Sequence, residues 1–162
     1  VAPVRPPDNA AAGKGTRSSN VIGTSAADAA PAGSIGESVI SALLGTAVSF
    51  PTSTTYGDAT SIALTAGDWD VTAVGEIYAN GATVTLVNIG ISQNSGNSGT
   101  GLVFGDNFIP ILPPTAVSES SGCIPSYRIS LAAPATVYLK MKASFSVATP
   151  QIYPRLSARR AR

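Results

Sequence analysis

One segment limits the possible folds more than any other. In the run from Asp68 to Tyr78, Trp69, Val71, Ala73, Gly75 and Ile77 take alternate positions. Asp68, Asp70, Thr72, Glu76 and Tyr78 take the positions between them, with Val74 the one apolar exception. Successive side chains of a strand point to opposite faces, so a period of two predicts a half-buried β-strand. Asn80-Gly81 follows directly, and this pair accepts the positive φ angles of a tight hairpin turn. A second clean alternation sets Val137, Leu139, Met141, Ala143 and Phe145 against Tyr138, Lys140, Lys142 and Ser144.

Further strands are expected at Glu37–Leu44, Ala47–Phe50 (stopped by Pro51), Thr60–Thr65, Thr83–Ser92, Ser126–Leu131 and Gln151 to about Arg159. In Thr83–Ser92, Val84 and Leu86 share one face, and Val87, Ile89 and Ile91 share the other. Strands apolar on both faces are commonly buried on both. Val87, Ile89 and Ile91 are therefore expected at a contact with a sister subunit. Residues 94–100 read as a flexible loop, and 101–122 as irregular chain in which Pro110, Pro113 and Pro114 bar central strands. Gly (16) and Pro (12) are spread along the chain, and no stretch has helical periodicity. The expectation for residues 34–162 is an all-β domain, an antiparallel β-sandwich or jelly roll of about eight strands.

Residues 1–33 differ in kind. They hold Pro3, Pro6, Pro7 and Pro31, many small residues, and Val21-Ile22 as the one large apolar pair. Such a composition buries no core of its own, and only a partner surface can offset the entropy of ordering it. It reads as an extended anchoring arm, with Val4, Arg5, Lys14, Arg17, Val21 and Ile22 as the contact residues. Its first residues lack the apolar core of a signal peptide, and no apolar run reaches the roughly 18 residues of a membrane span.

Charged residues are 12% of the chain, about half the usual share. A surface so poor in charge suits an assembly, where neighbours cover much of it. The net charge of +1 conceals a split. From Ser34 to Glu119 there are seven acidic residues and no Lys or Arg; from Ser120 to Arg162 there are seven basic residues and no Asp or Glu. Antiparallel neighbours drawn from the two halves would pair opposite charges. The halves also suit contacts between subunits, with Arg155, Arg159 and Arg160 as intersubunit residues. A basic end can bind phosphates, but this one has a single neighbouring aromatic, Tyr153, and no nucleic-acid motif. Nucleic acid is not expected as a partner.

The chain has no histidine and one cysteine, Cys123. That removes His-dependent triads and ordinary zinc sites. Cys123 could pair between subunits, but a small buried hydrophobe is the simpler expectation. Asp68 and Asp70 are a carboxylate pair about 7 Å apart if they share a strand face, a spacing glycosidases can use. A solvated or salt-bridged strand edge is the simpler account. Gly13-Lys14-Gly15-Thr16 lacks the upstream glycine and strand of a phosphate loop. Asp58 and Asp106 lack the D-x-D-x-D-G spacing of a calcium loop. No metal, cofactor or catalytic residue is expected. The exposed recognition candidates are loop residues Asn94, Asn97, Asp106 and Asn107.

Ser61 to Val71, containing Thr65-Ala66-Gly67-Asp68-Trp69-Asp70-Val71, resembles a segment recurring in tailed-phage fibre and virion-decoration proteins. Gly33-Ser34-Ile35-Gly36-Glu37 resembles the opening of the same domain. Arg128–Leu131 with Thr136–Leu139 is similar to a later segment, and Ala158–Arg162 to its end. The resemblance covers about residues 31–162, in order. It implies a non-enzymatic virion structural protein on the exterior of a phage particle. The first expectation is a capsid decoration (cement) protein or head fibre that binds the major capsid protein through the arm and stabilises the shell. The alternative is a tail-attached receptor-binding fibre tip or short spike whose loops contact a host glycan or protein. A closed homo-oligomer is expected, a homotrimer first and a dimer second.

Overall fold

The structure, a computed structural model, describes residues 30–41, 45–115 and 118–161. Its strands are β1 Ser38–Ile40, β2 Val48–Ser49, β3 Tyr56–Leu64, β4 Gly67–Tyr78, β5 Thr83–Ser92, β6 Phe108–Ile111, β7 Glu119–Leu131, β8 Ala135–Ser146 and β9 Gln151–Arg160. All pairings between them are antiparallel. Sheet I has the order β1-β9-β4-β7, with β2 also on β9; sheet II has the order β3-β8-β5-β6. The expected β-sandwich is present. Its pairs are nested: β1 with β9, β3 with β8, β4 with β7, and β5 with β6. A long hairpin folded over on itself produces this nesting.

The alternation read from the sequence builds the core. Trp69, Val71, Ala73 and Ile77 of β4 and Ile152, Leu156 and Ala158 of β9 face inward from sheet I. Val137, Leu139, Met141 and Ala143 of β8 meet them from sheet II. Trp69 donates its indole N–H to the Thr65 carbonyl at 2.9 Å, so the large ring enters the core with its one polar group satisfied. The turn after β4 holds Asn80 at φ 51° and Gly81 at φ 78°, but it closes no hairpin: β4 and β5 lie in different sheets, so the expected hairpin is corrected to a turn that carries the chain from sheet I to sheet II.

Bulges account for the places where alternation failed. In β5 the register slips between Val84 and Leu86, so Thr85 is the extra residue and Val84 returns to the face of Val87. Val87, Ile89 and Ile91 are wholly buried in the core of their own chain. They are therefore not subunit contacts, and Leu86 is the residue turned outward. In β3 a slip between Asp58 and Thr60 turns Asp58 away from the core. In β7 a slip opposite Val71 and Ala73 absorbs Pro125.

The prolines also behave differently from expectation. Residues 108–111 form a strand containing Pro110, because β6 lies at an edge of sheet II and one of its sides needs no donors. Pro154 lies in an inner strand, β9. There β1 pairs with Ser157–Arg159 and β2 with Gln151–Ile152, leaving the position of Pro154 between them. The arm residues Val4, Arg5, Lys14, Arg17, Val21 and Ile22 lie outside the described residues.

Candidate interaction surface

The joint between arm and sandwich is tightly bonded. Gly36 N–H donates to the Arg160 carbonyl (3.0 Å), and Arg160 N–H donates to the Glu37 carbonyl (2.8 Å). The Arg160 guanidinium pairs with Glu37 at 2.9 Å, donates to the Ala66 carbonyl at 2.7 Å and bonds the Thr65 hydroxyl. Its Cζ lies 4.3 Å from the Trp69 ring centre, a cation–π contact. Glu37 also accepts the Gly33 N–H at 2.7 Å. That backbone bond and then Arg160 hold the Glu37 carboxyl below the usual carboxylate range, against the opposing effect of burial. Arg160 is thus an internal lock, because the end of β9 faces Trp69 across sheet I. The expectation of an intersubunit Arg160 is corrected.

Part of the outer face of sheet II is covered by the chain itself. Residues 93–107 fold back over it. Gly90 makes room: a Cβ there would stand 2.7 Å from Leu102 Cδ2 and 2.8 Å from Phe108 Cδ2. Beneath this cover Lys140 is fully buried, its Nζ bonded to Asp58 Oδ1 and to the Gly96 carbonyl. Asp58 Oδ2 accepts the Ser95 hydroxyl and the Gly96 N–H, each at 2.8 Å. Burial alone would raise the Asp58 pKa. The bonds from Lys140, Gly96 and Ser95, with the Lys140 charge, outweigh it and hold the pKa below the ordinary value. An ammonium group therefore sits where a cation bound by Asp58 would go. Among the described residues, no group of three or more His, Cys, Asp or Glu is placed to hold a metal ion.

Asn107 is buried and works as a plug. It donates to the carbonyls of Ile91 (2.9 Å) and Gly101 (2.8 Å) and accepts the Val103 N–H (2.7 Å). It is not an exposed recognition residue, since it is buried and its three bonds go to the backbone of the loop and of β5. Asn94, Asn97 and Asp106 are exposed. Asn94 and Asn107 share a cleft of about 180 Å³ with Gln93 and Tyr127. The loop also presents Val103 and Phe104, the latter stacked on Phe108 at 4.6 Å.

The outer face of sheet I carries no such cover among the described residues. Across its strands, Arg128, Asp70 and Arg159 form one rung, and Cys123, Val74 and Arg155 another. Ser121, Glu76 and Tyr153 come next, then Glu119, Tyr78 and Gln151. Thr72 and Ser157 share a hydroxyl bond of 2.8 Å between the first two rungs. Ile40, Val74 and Tyr153 are 46%, 43% and 38% exposed.

No protein-family model, curated protein or solved structure matches this chain. Its geometry alone locates the candidate residues.

Arg155 and Arg159 are exposed on the open face. Asp70 accepts a forked pair of bonds from Arg128, at 2.6 and 3.1 Å. The bond to Asp70 raises the Arg128 pKa, with Asp68 adding to it. The expected pairing across the acidic and basic halves is found three times: Asp70 with Arg128, Asp58 with Lys140 and Glu37 with Arg160. Sequence reasoning missed Lys140, because an alternating strand predicts it to be wet. It also missed Ile40 and Tyr153. For the open face, the available signal was Val74, the apolar residue out of step in β4.

Proposed function

We propose that this chain is a structural subunit of a phage particle, a capsid decoration protein or head fibre held on the capsid exterior by residues 1–33. The observation that carries this reading is the joint. A segment that trails freely needs no rigid attachment. Here two backbone bonds, a buried ion pair and a cation–π contact fix residues 33–37 to the last strand. Tension in the arm is delivered straight into β9, which pairs with β1, β2 and β4. That is the mechanical connection a clamp on neighbouring capsid subunits requires. The low share of charge and the sequence resemblance support the same reading.

The test is to add the full chain, and a variant lacking residues 1–29, to undecorated capsids. The full chain should saturate them and the variant should not. Equal occupancy would remove the arm as anchor.

A second reading, a receptor-binding tail-fibre tip, is favoured by exposed Asn94 and Asn97 beside the cleft. Labelled protein that binds host cells, with an antibody that blocks adsorption, would select it.

A further inference from the structure

We infer that the open face of sheet I packs against the same face of a second copy, turned end for end about a two-fold axis that crosses the strands near Val74. This refines the reading of the chain as an assembly subunit. Its test needs no particle, so the two can fail separately.

The two faces of the sandwich differ in one respect that matters. On sheet II, residues 93–107 cover part of the face and bury Lys140 and Phe108, leaving Leu86 36% exposed outside the cover. Sheet I leaves Ile40, Val74 and Tyr153 open to solvent on a face of four strands. With strands about 4.8 Å apart and about 3.3 Å per residue, that face measures on the order of 600 Å². Two copies would bury roughly 1,200 Å², the lower bound for a stable interface.

Charge decides the occupant and its direction. Glu76 and Glu119 lie toward the 79–82 turn, and neither makes an ion pair within the described chain. Arg155 lies at the middle and Arg159 toward the joint, also without ion pairs there. A copy laid on with its rungs at the same height would stack four glutamates with no cation among them. A copy turned end for end separates them. It sets Glu119 over the partner's Arg128 rung and brings Glu76 within reach of the partner's Arg155. It also places Ile40 beside the partner's Tyr153, and Val74 on the partner's Val74. A face that complements itself when reversed is what a two-fold interface requires.

On the axis Cys123, exposed beside Val74 and not buried as expected, faces its own copy. Sedimentation of the full chain at micromolar concentration should give a dimer. Val74→Arg should give a monomer with unchanged circular dichroism and melting temperature, because the side chain is outside the core. A short bismaleimide should join two copies through Cys123 in the wild type, and should not do so in Val74→Arg or Cys123→Ser. A monomer, whether the face is covered by residues 1–29 or by another protein, would overturn the inference. So would a trimer, or a dimer that survives Val74→Arg. A dimer that Cys123 cannot link would refute the end-for-end arrangement.

Discussion

Among the described residues, Arg160 and Lys140 are the two buried cations, and each is held by groups distant in sequence. Arg160 spans Glu37, Thr65, Ala66 and Trp69. Arg160→Met should cost about 3 kcal/mol, because it strands the Glu37 carboxylate and uncaps Trp69. Urea unfolding measures this. Arg160→Lys should recover less than half, since an ammonium cannot reach in three directions with a planar fork. Lys140→Met leaves Asp58 with its two remaining donors and no cation. The expected loss is about 2 kcal/mol at neutral pH, below the roughly 3–5 kcal/mol of a fully buried pair because Asp58 keeps some contact with water. The loss should shrink as pH falls through the depressed folded-state pKa of Asp58, below which the carboxyl is neutral in both proteins.

At the scale of elements, a few residues out of register decide which side chains meet. The bulge at Thr85 returns Val84 to the core face and turns Leu86 outward. The slip at Ala59 turns Asp58 to the outer face, opposite Lys140. Once there, Asp58 binds Ser95 and Gly96 and so fastens the start of the loop that covers sheet II. Gly90 completes the cover by leaving space for Leu102 and Phe108. Gly90→Ala should therefore cost about 1–3 kcal/mol through overpacking. Its signature should be local. Hydrogen exchange at the amides of Val103 and Phe108 should accelerate more than exchange in β4 or β9.

The whole molecule should respond to acid in a predictable way. Glu37 and Asp58 both have folded-state pKa values below their ordinary ones. A depressed carboxylate pKa contributes stability that is complete above the unfolded value, about 4, and is lost as pH falls through the folded value. The chain has no histidine to titrate between pH 5 and 8. The urea midpoint should be flat from about pH 6 to 8 and fall below about pH 4. Salt should matter little at neutral pH, because the exposed Asp70–Arg128 pair is the one open to screening. A midpoint that drops sharply at 0.5 M salt would show that the buried pairs are not what the acid transition reports.

The sequence by itself determined the class of structure. Alternation in Asp68–Tyr78 and Val137–Phe145, with Asn80-Gly81 between strands, permits little besides antiparallel sheet, because that periodicity is local and covalent. It also determined that any ion pair within residues 34–162 must join the acidic half to the basic half. Tertiary structure alone decided the rest. Whether Val87, Ile89 and Ile91 meet the core or a neighbour turned on a single inserted residue, which period-counting reads as a second apolar face. Whether Pro110 and Pro154 break strands turned on which strand lies beside them. Whether Lys140 is wet or buried turned on a loop folding back from the far end of β5. Each outcome depends on what another part of the chain places opposite the residue, and local sequence carries no record of that.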